Sequence, residues 1–73
     1  MVAHCRIEAA LSSRERECLE GLARGLDNEK VGKSLGIAVP TVAMHLANAR
    51  RKLGALTREQ AVAIAVARGI VSI

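Results

Sequence analysis

The sequence predicts an all-α domain, and three observations carry that prediction. Val42, Leu46, Ala49 and Leu53 recur at steps of four, three and four, which lays them on one stripe of a single helix. Phe, Tyr and Trp are absent while Ala is abundant, so a core has to be close-packed from Leu, Val, Ile and Ala, which suits short helices better than a sheet. Gly and Pro fall singly between the apolar runs, as stops between short helices do. A chain of 73 residues holds one domain that buries a modest fraction of its surface.

Residues 1–10 have no firm pattern and read as a linker or flexible N-terminal segment; the folded domain is expected over 11–73. The first helix starts after Ser12, whose hydroxyl with Glu15 three residues on forms a capping box. Its apolar side runs through Cys18, Leu19, Leu22 and Ala23, and Gly25 supplies the stop. Asp27 caps a second, shorter helix, Asn28 to Leu35, with Val31 and Leu35 inward. Gly32 lies between them at a cost of about 1 kcal/mol in helix propensity, which makes sense where another helix passes close.

Gly36 ends that helix, Ile37 plugs the core, and the third helix begins near Ala38 or Val39 and runs to Leu53. Pro40 falls in the first turn, where a missing N–H removes no intrahelical bond. After a short turn, Thr57 caps a fourth helix with Gln60 at the capping-box position. From Ala61 to Ala67 that helix is apolar on every side. One side, Ala61, Ile64 and Ala65, is expected to meet the core. The other, Val62, Ala63 and Val66, is expected to be a self-association surface, unless the tail Ile70, Val71 and Ile73 folds over it. Gly69 is the expected C-cap, with Arg68 in the last turn.

Charge points to the third helix as the working element. The net charge is +4, but residues 1–29 hold four basic residues against six acids, whereas residues 30–73 hold seven against one. The side of the third helix away from the core carries Met44, Ala47, Asn48 and Arg51, flanked by Thr41, Ala43 and Lys52, with no acid. An anchored helix with a small-residue outer face and a cluster of cations fits against a polyanion. Two helices around a Gly-centred turn, the second longer and basic, describe a helix-turn-helix.

Other classes find less support. Cys5, Cys18, His4 and His45 lack metal-ligand spacing. There is no nucleophile–base pair, metal cluster or phosphate loop, so neither an enzyme nor a cofactor is expected. No apolar run approaches a membrane span and no secretory signal is visible, which leaves the cytoplasm as the default. The alternative of a different class is a helical protein-interaction module that uses its apolar fourth helix and binds no DNA.

The blocks L-S-S-R-E-R-E-C-L, A-R-G-L-D-N-E-K-V-G-K-S-L-G-I, T-V-A-M-H-L-A-N-A-R-R-K-L and T-R-E-Q-A-V-A-I-A occur in the order and spacing of the LuxR-type (GerE) helix-turn-helix family, which the chain resembles from Leu11 to about Ile70. The resemblance is closest to the C-terminal domains of quorum-sensing regulators that respond to acyl-homoserine lactones. It implies a four-helix domain of a transcriptional regulator. Residues of about 39–53 would lie in the major groove of double-stranded DNA, and residues of about 58–68 would mediate a homodimer. RNA polymerase would be a further partner and a signal-sensing domain would lie upstream.

Carried over by position, Thr41, Val42, His45, Asn48, Lys52 and Leu53 match the family's T-V-x-x-H-x-x-N-x-x-x-K-L block. Val42 and Leu53 would be core, Thr41 and His45 backbone or phosphate contacts, and Lys52 a phosphate contact. Lys30, Lys33, Arg50 and Arg51 complete the expected phosphate-binding set. Arg14, Glu15 and Glu17 match the family's first-helix block and are expected to be structural, ion-paired with Arg58.

This sequence departs from the family where bases are read. Positions 43 and 47 are both Ala and position 44 is Met, residues that touch thymine methyls but cannot hydrogen-bond a base edge. Selectivity is therefore expected from Thr41, Asn48 and Arg51, together with DNA shape. Ala38 replaces the usual Ser before the third helix, at a cost of about 1 kcal/mol.

Overall fold

The structure, a computed structural model, describes residues 11–72. The expected linker over 1–10, with His4 and Cys5, lies outside the described residues, as does Ile73. Four helices follow one another: α1 (Ser13–Ala23), α2 (Asn28–Leu35), α3 (Val39–Leu53) and α4 (Arg58–Ala67). Among the described residues there is no strand.

Local chemistry sets the boundaries. At α1 the capping box is complete: Ser12 Oγ accepts from the Glu15 N–H at 3.1 Å, and Glu15 Oε1 accepts from the Ser12 N–H at 2.9 Å. Asp27 Oδ1 accepts from the Lys30 N–H at 2.9 Å to start α2. Gly36 closes it at φ 72°, a conformation that favours glycine. Ala38 makes no side-chain cap, and α3 begins on backbone bonds from Thr41 and Val42 to the Ala38 carbonyl. At α4, Thr57 Oγ1 accepts from the Gln60 N–H at 3.0 Å. Gln60 Oε1 reaches back past the cap residue to the Leu56 N–H, so the reciprocal half of this box lies one residue earlier than expected. The helix ends at Ala67, which makes Arg68 the cap and Gly69, at φ 73°, the residue beyond it.

Helix α3 is the centre of the fold and packs on each of the other three. Val42, Leu46, Ala49 and Leu53 are all buried, as the stripe requires. They meet Cys18 and Leu19 of α1, Val31 of α2, and Ala61 and Ala65 of α4 in one cluster. Small residues bring the backbones together where no aromatic ring is available to fill space. A Cβ on Gly21 would come 2.7 Å from Val31 Cγ2, and one on Gly32 would come 2.7 Å from the Ile37 carbonyl oxygen. The close approach expected at Gly32 is therefore made chiefly by the turn that follows it, with Val42 of α3 at 3.6 Å.

On α4 the division into two sides is blurred. Ala61 and Ala65 are buried, Ile64 is only half-buried, and Val62 and Val66 are half-buried against the core while Ala63 is exposed. The tail does turn back: the Ile70 N–H bonds to the Ala65 carbonyl at 2.8 Å, and Val71 is buried. It lies beside Ser13, Arg16 and Glu20 of α1. Val62 sits elsewhere, in a cleft with Leu22 and Arg58.

Candidate nucleic-acid interface

With its inner stripe buried, α3 turns the remaining residues outward. Ala43, Met44, Arg51 and Lys52 are exposed, and Thr41, His45, Ala47, Asn48 and Arg50 are half-buried. Met44, at 51% exposure, is the most prominent apolar side chain on the face. No acid lies on α3, and its three cations fall in the last turn, where they suit the negative end of the helix dipole. Lys30 and Lys33 are exposed on α2. Among the described residues neither amine has an ion-pair partner.

The cations of α3 differ in what they already bind. Arg50 Nη1 donates to the Ala55 carbonyl at 3.0 Å and ties down the turn into α4. Arg51 Nη2 donates to Asn48 Oδ1, one turn back on the same face. Lys52 Nζ lies 2.9 Å from Glu15 Oε1 and 3.2 Å from Oε2. This corrects the expected pairing of the first-helix block with Arg58. Glu15 reaches across to α3, Arg14 pairs with Glu17 on its own helix at 3.0 Å, and Arg58 lies against Asn28 and Glu59.

The Glu15–Lys52 pair has a structural task. Glu15 is 4% exposed, and burial of a carboxylate unaided favours its neutral form. Burial pushes the Glu15 pKa up, but the Ser12 N–H, the Lys52 ammonium and the nearby His45 outweigh it and hold the group below its ordinary value. Glu15 stays charged and ties the C-terminal end of α3 to the start of α1. A phosphate contact by Lys52 has to be shared with that carboxylate.

Along the opposite edge of α3 runs an open cleft of about 360 Å³, lined by Ala43, Ala47 and Arg50 with Asn28, Leu56 and Arg58 among its other walls. The structure thus brings three expected interface residues together with Arg58, Asn28 and Leu56, which sequence reasoning did not place there. Arg58 Nη1 donates to Asn28 Oδ1 at 3.3 Å, and Leu56 is 84% exposed. One signal was available: a cation at the first residue of α4 opposes the helix dipole and calls for another reason to be there.

The outward face of α3 offers cations, donors and small apolar groups at the surface of a two-helix unit, the geometry of a DNA-reading helix-turn-helix. Comparison with known proteins agrees. The profile of the family described as bacterial regulatory proteins, luxR family, matches residues 9–65. The chain belongs to the LuxR family. It is 39% identical over 64 residues to the transcriptional activator protein PhzR of Pseudomonas fluorescens, covering 88% of this chain and 26% of that protein. To the transcriptional regulatory protein YdfI of Bacillus subtilis it is 37% identical over 68 residues, covering 93% and 32%.

Among solved structures, the transcription factor GerE superposes with a TM-score of 0.80 at 34% identity, covering 85% of this chain and 92% of GerE. The LuxR-type receptor VqmA of Vibrio cholerae gives 0.78 at 34% identity, covering 85% and 29%. The chain spans about a quarter to a third of the length of these curated relatives. The LuxR-family domain described here is a DNA-binding helix-turn-helix of transcriptional regulators, a non-enzymatic family, with α2 and α3 as its two helices. Among the described residues no helix is long and apolar enough to cross a membrane.

Proposed function

We propose that this LuxR-family domain binds a specific double-stranded DNA site with α3 in the major groove and pairs with a second copy through α4. The observation that carries the reading is the acid-free outward face of α3, held in place by its buried stripe and by the Glu15–Lys52 bridge. Lys30, Lys33 and Arg50 supply phosphate affinity, and Arg51 and Lys52 add charge at the end of α3. Thr41 and His45 fix register on the backbone, and Ala43, Met44 and Ala47 fill the groove beside Asn48. Exposed Ala63, flanked by half-buried Val62 and Val66, lets a second α4 approach closely. The VqmA structure is described as a dimer that has a target DNA, which supports the same arrangement here. A DNA target places the protein in the cytoplasm, with RNA polymerase as the machinery it influences. Within that reading the folded domain is 11–73, and the residues before it connect to an upstream signal-sensing domain of the quorum-sensing type, in keeping with relatives several times longer.

Titration of labelled duplexes at increasing salt tests the reading. Each neutralised phosphate contributes about −0.9 to the slope of log affinity against log salt, so several contacts give a slope of about −3 or steeper. Binding that ignores salt, or no binding to any duplex, contradicts it. Val66→Glu separates dimerisation from contact: dimers are lost while weak, salt-sensitive binding by the monomer persists.

A further inference from the structure

Resting on the reading of α3 as the groove-facing helix, we infer that Asn48 and Arg51 act as one composite reader that presents hydrogen-bond donors and so selects guanine over adenine. The two residues sit one turn apart on the outward face, and Arg51 Nη2 donates to Asn48 Oδ1. A guanidinium has donors and no acceptor. The orientation of the Asn48 amide is thereby fixed, because the reversed amide would set N–H against N–H.

Asparagine reads adenine as a fork, its oxygen accepting from the N6 amino group while its nitrogen donates to N7. Here one of the two lone pairs of that oxygen already accepts from a cation whose other N–H groups crowd the approach of a second donor, so what the pair offers the groove most readily is the two Nδ2 hydrogens and the guanidinium N–H groups. Arg51 adds the guanidinium donors that Asn48 does not use. Guanine, with acceptors at both N7 and O6, is complementary to such a set, whereas the amino group of adenine opposes it. The neighbours do not compete for that role. Met44, one turn before Asn48, and Ala47, one turn before Arg51, carry no side-chain donor and suit the methyl of an adjacent thymine.

Selection from a randomised duplex library with the 73-residue chain tests the pair, followed by binding measurements on the selected duplex and its single G-to-A variant. For the wild type, one position of each half-site is expected to favour guanine over adenine on the order of tenfold. Asn48→Ala is expected to flatten that preference. Arg51→Ala frees Oδ1 and is expected to move the preference from guanine to adenine, while Arg51→Lys keeps a donor on Oδ1 and retains guanine. Arg51 is exposed, and unchanged helicity by circular dichroism confirms that the variants fold. The inference is overturned if the wild type shows no guanine preference. It is equally overturned if Arg51→Ala weakens all duplexes alike and keeps the guanine-to-adenine ratio. Absence of salt-sensitive binding to any duplex instead overturns the DNA reading on which it rests.

Discussion

Replacing Glu15 by Gln removes the charge that ties α3 to α1 while leaving the shape of the side chain and the helix cap. The amide oxygen still accepts from the Ser12 N–H, which Glu15 Oε1 engages at 2.9 Å. That oxygen also stays within reach of Lys52 Nζ, 2.9 Å away, but the attraction between opposite charges is gone, and the NH2 group at the Oε2 position, 3.2 Å from Nζ, meets the ammonium donor against donor. Removing one partner of a buried ion pair costs about 3–5 kcal/mol when the other charge is trapped. Lys52 is not trapped, since its side chain is 37% exposed against 5% for Glu15, and solvent screening reduces the cost to about 1–2 kcal/mol. For a domain of this size each 1 kcal/mol moves Tm by roughly 4–8 °C, so Glu15→Gln is expected to melt roughly 5–15 °C below the wild type at neutral pH.

The same substitution has a pH signature. The Glu15 pKa lies below its ordinary value of 4.5 in the folded chain. Its contribution is therefore complete above the unfolded pKa and lost as pH falls through the folded one. Thermal unfolding of both proteins at pH 7 and at stepwise lower pH should show a gap that closes below about 4.5. Equal stability at pH 7, or a gap that persists unchanged in acid, would refute the assignment of Glu15–Lys52 as the α1–α3 tie.

Ala38→Ser supplies the side-chain acceptor that α3 lacks and should raise stability by about 1 kcal/mol, read as a higher urea midpoint; no change would mean that the added hydroxyl cannot reach the Thr41 N–H. Gly32→Ala gains about 1 kcal/mol of helix propensity. Its Cβ would nevertheless meet the Ile37 carbonyl oxygen at 2.7 Å, and overpacking of about 1–3 kcal/mol should win, so a midpoint above the wild type would contradict the turn geometry. Cys18 is fully buried, and burial pushes its thiol pKa up. In a Cys5→Ser background its reaction with Ellman's reagent should proceed only as the chain unfolds, and immediate reaction of the native protein would contradict the packing.

Periodicity and caps made much of this fold legible. The α3 stripe is buried at all four positions, and Ser12, Asp27 and Thr57 cap the helices expected of them. Such signals report on one helix at a time. The partner of Glu15 lies 37 positions away, and nothing along α1 distinguishes Lys52 from Arg58, so the pairing depends on how helices cross. The same limit hid Arg58 and Leu56 beside Arg50 in the cleft. On α4, apolar residues on every side leave no phase to read, which is why Ile64, expected inside, is only half-buried, while Val62 and Val66 are drawn partly into the core. The bare outward face of α3 was legible residue by residue; that Arg51 engages the oxygen of Asn48 was not.

Methylation protection on a selected duplex tests most directly whether α3 occupies the major groove. Dimethyl sulfate attacks guanine N7 in the major groove and adenine N3 in the minor groove, so one reaction reports on both. With the wild-type chain bound, guanine N7 is expected to be protected within each half-site while adenine N3 stays reactive, and Asn48→Ala should lose the N7 protection. Saturated binding that leaves every N7 reactive, or that protects adenine N3 instead, would contradict the placement of α3.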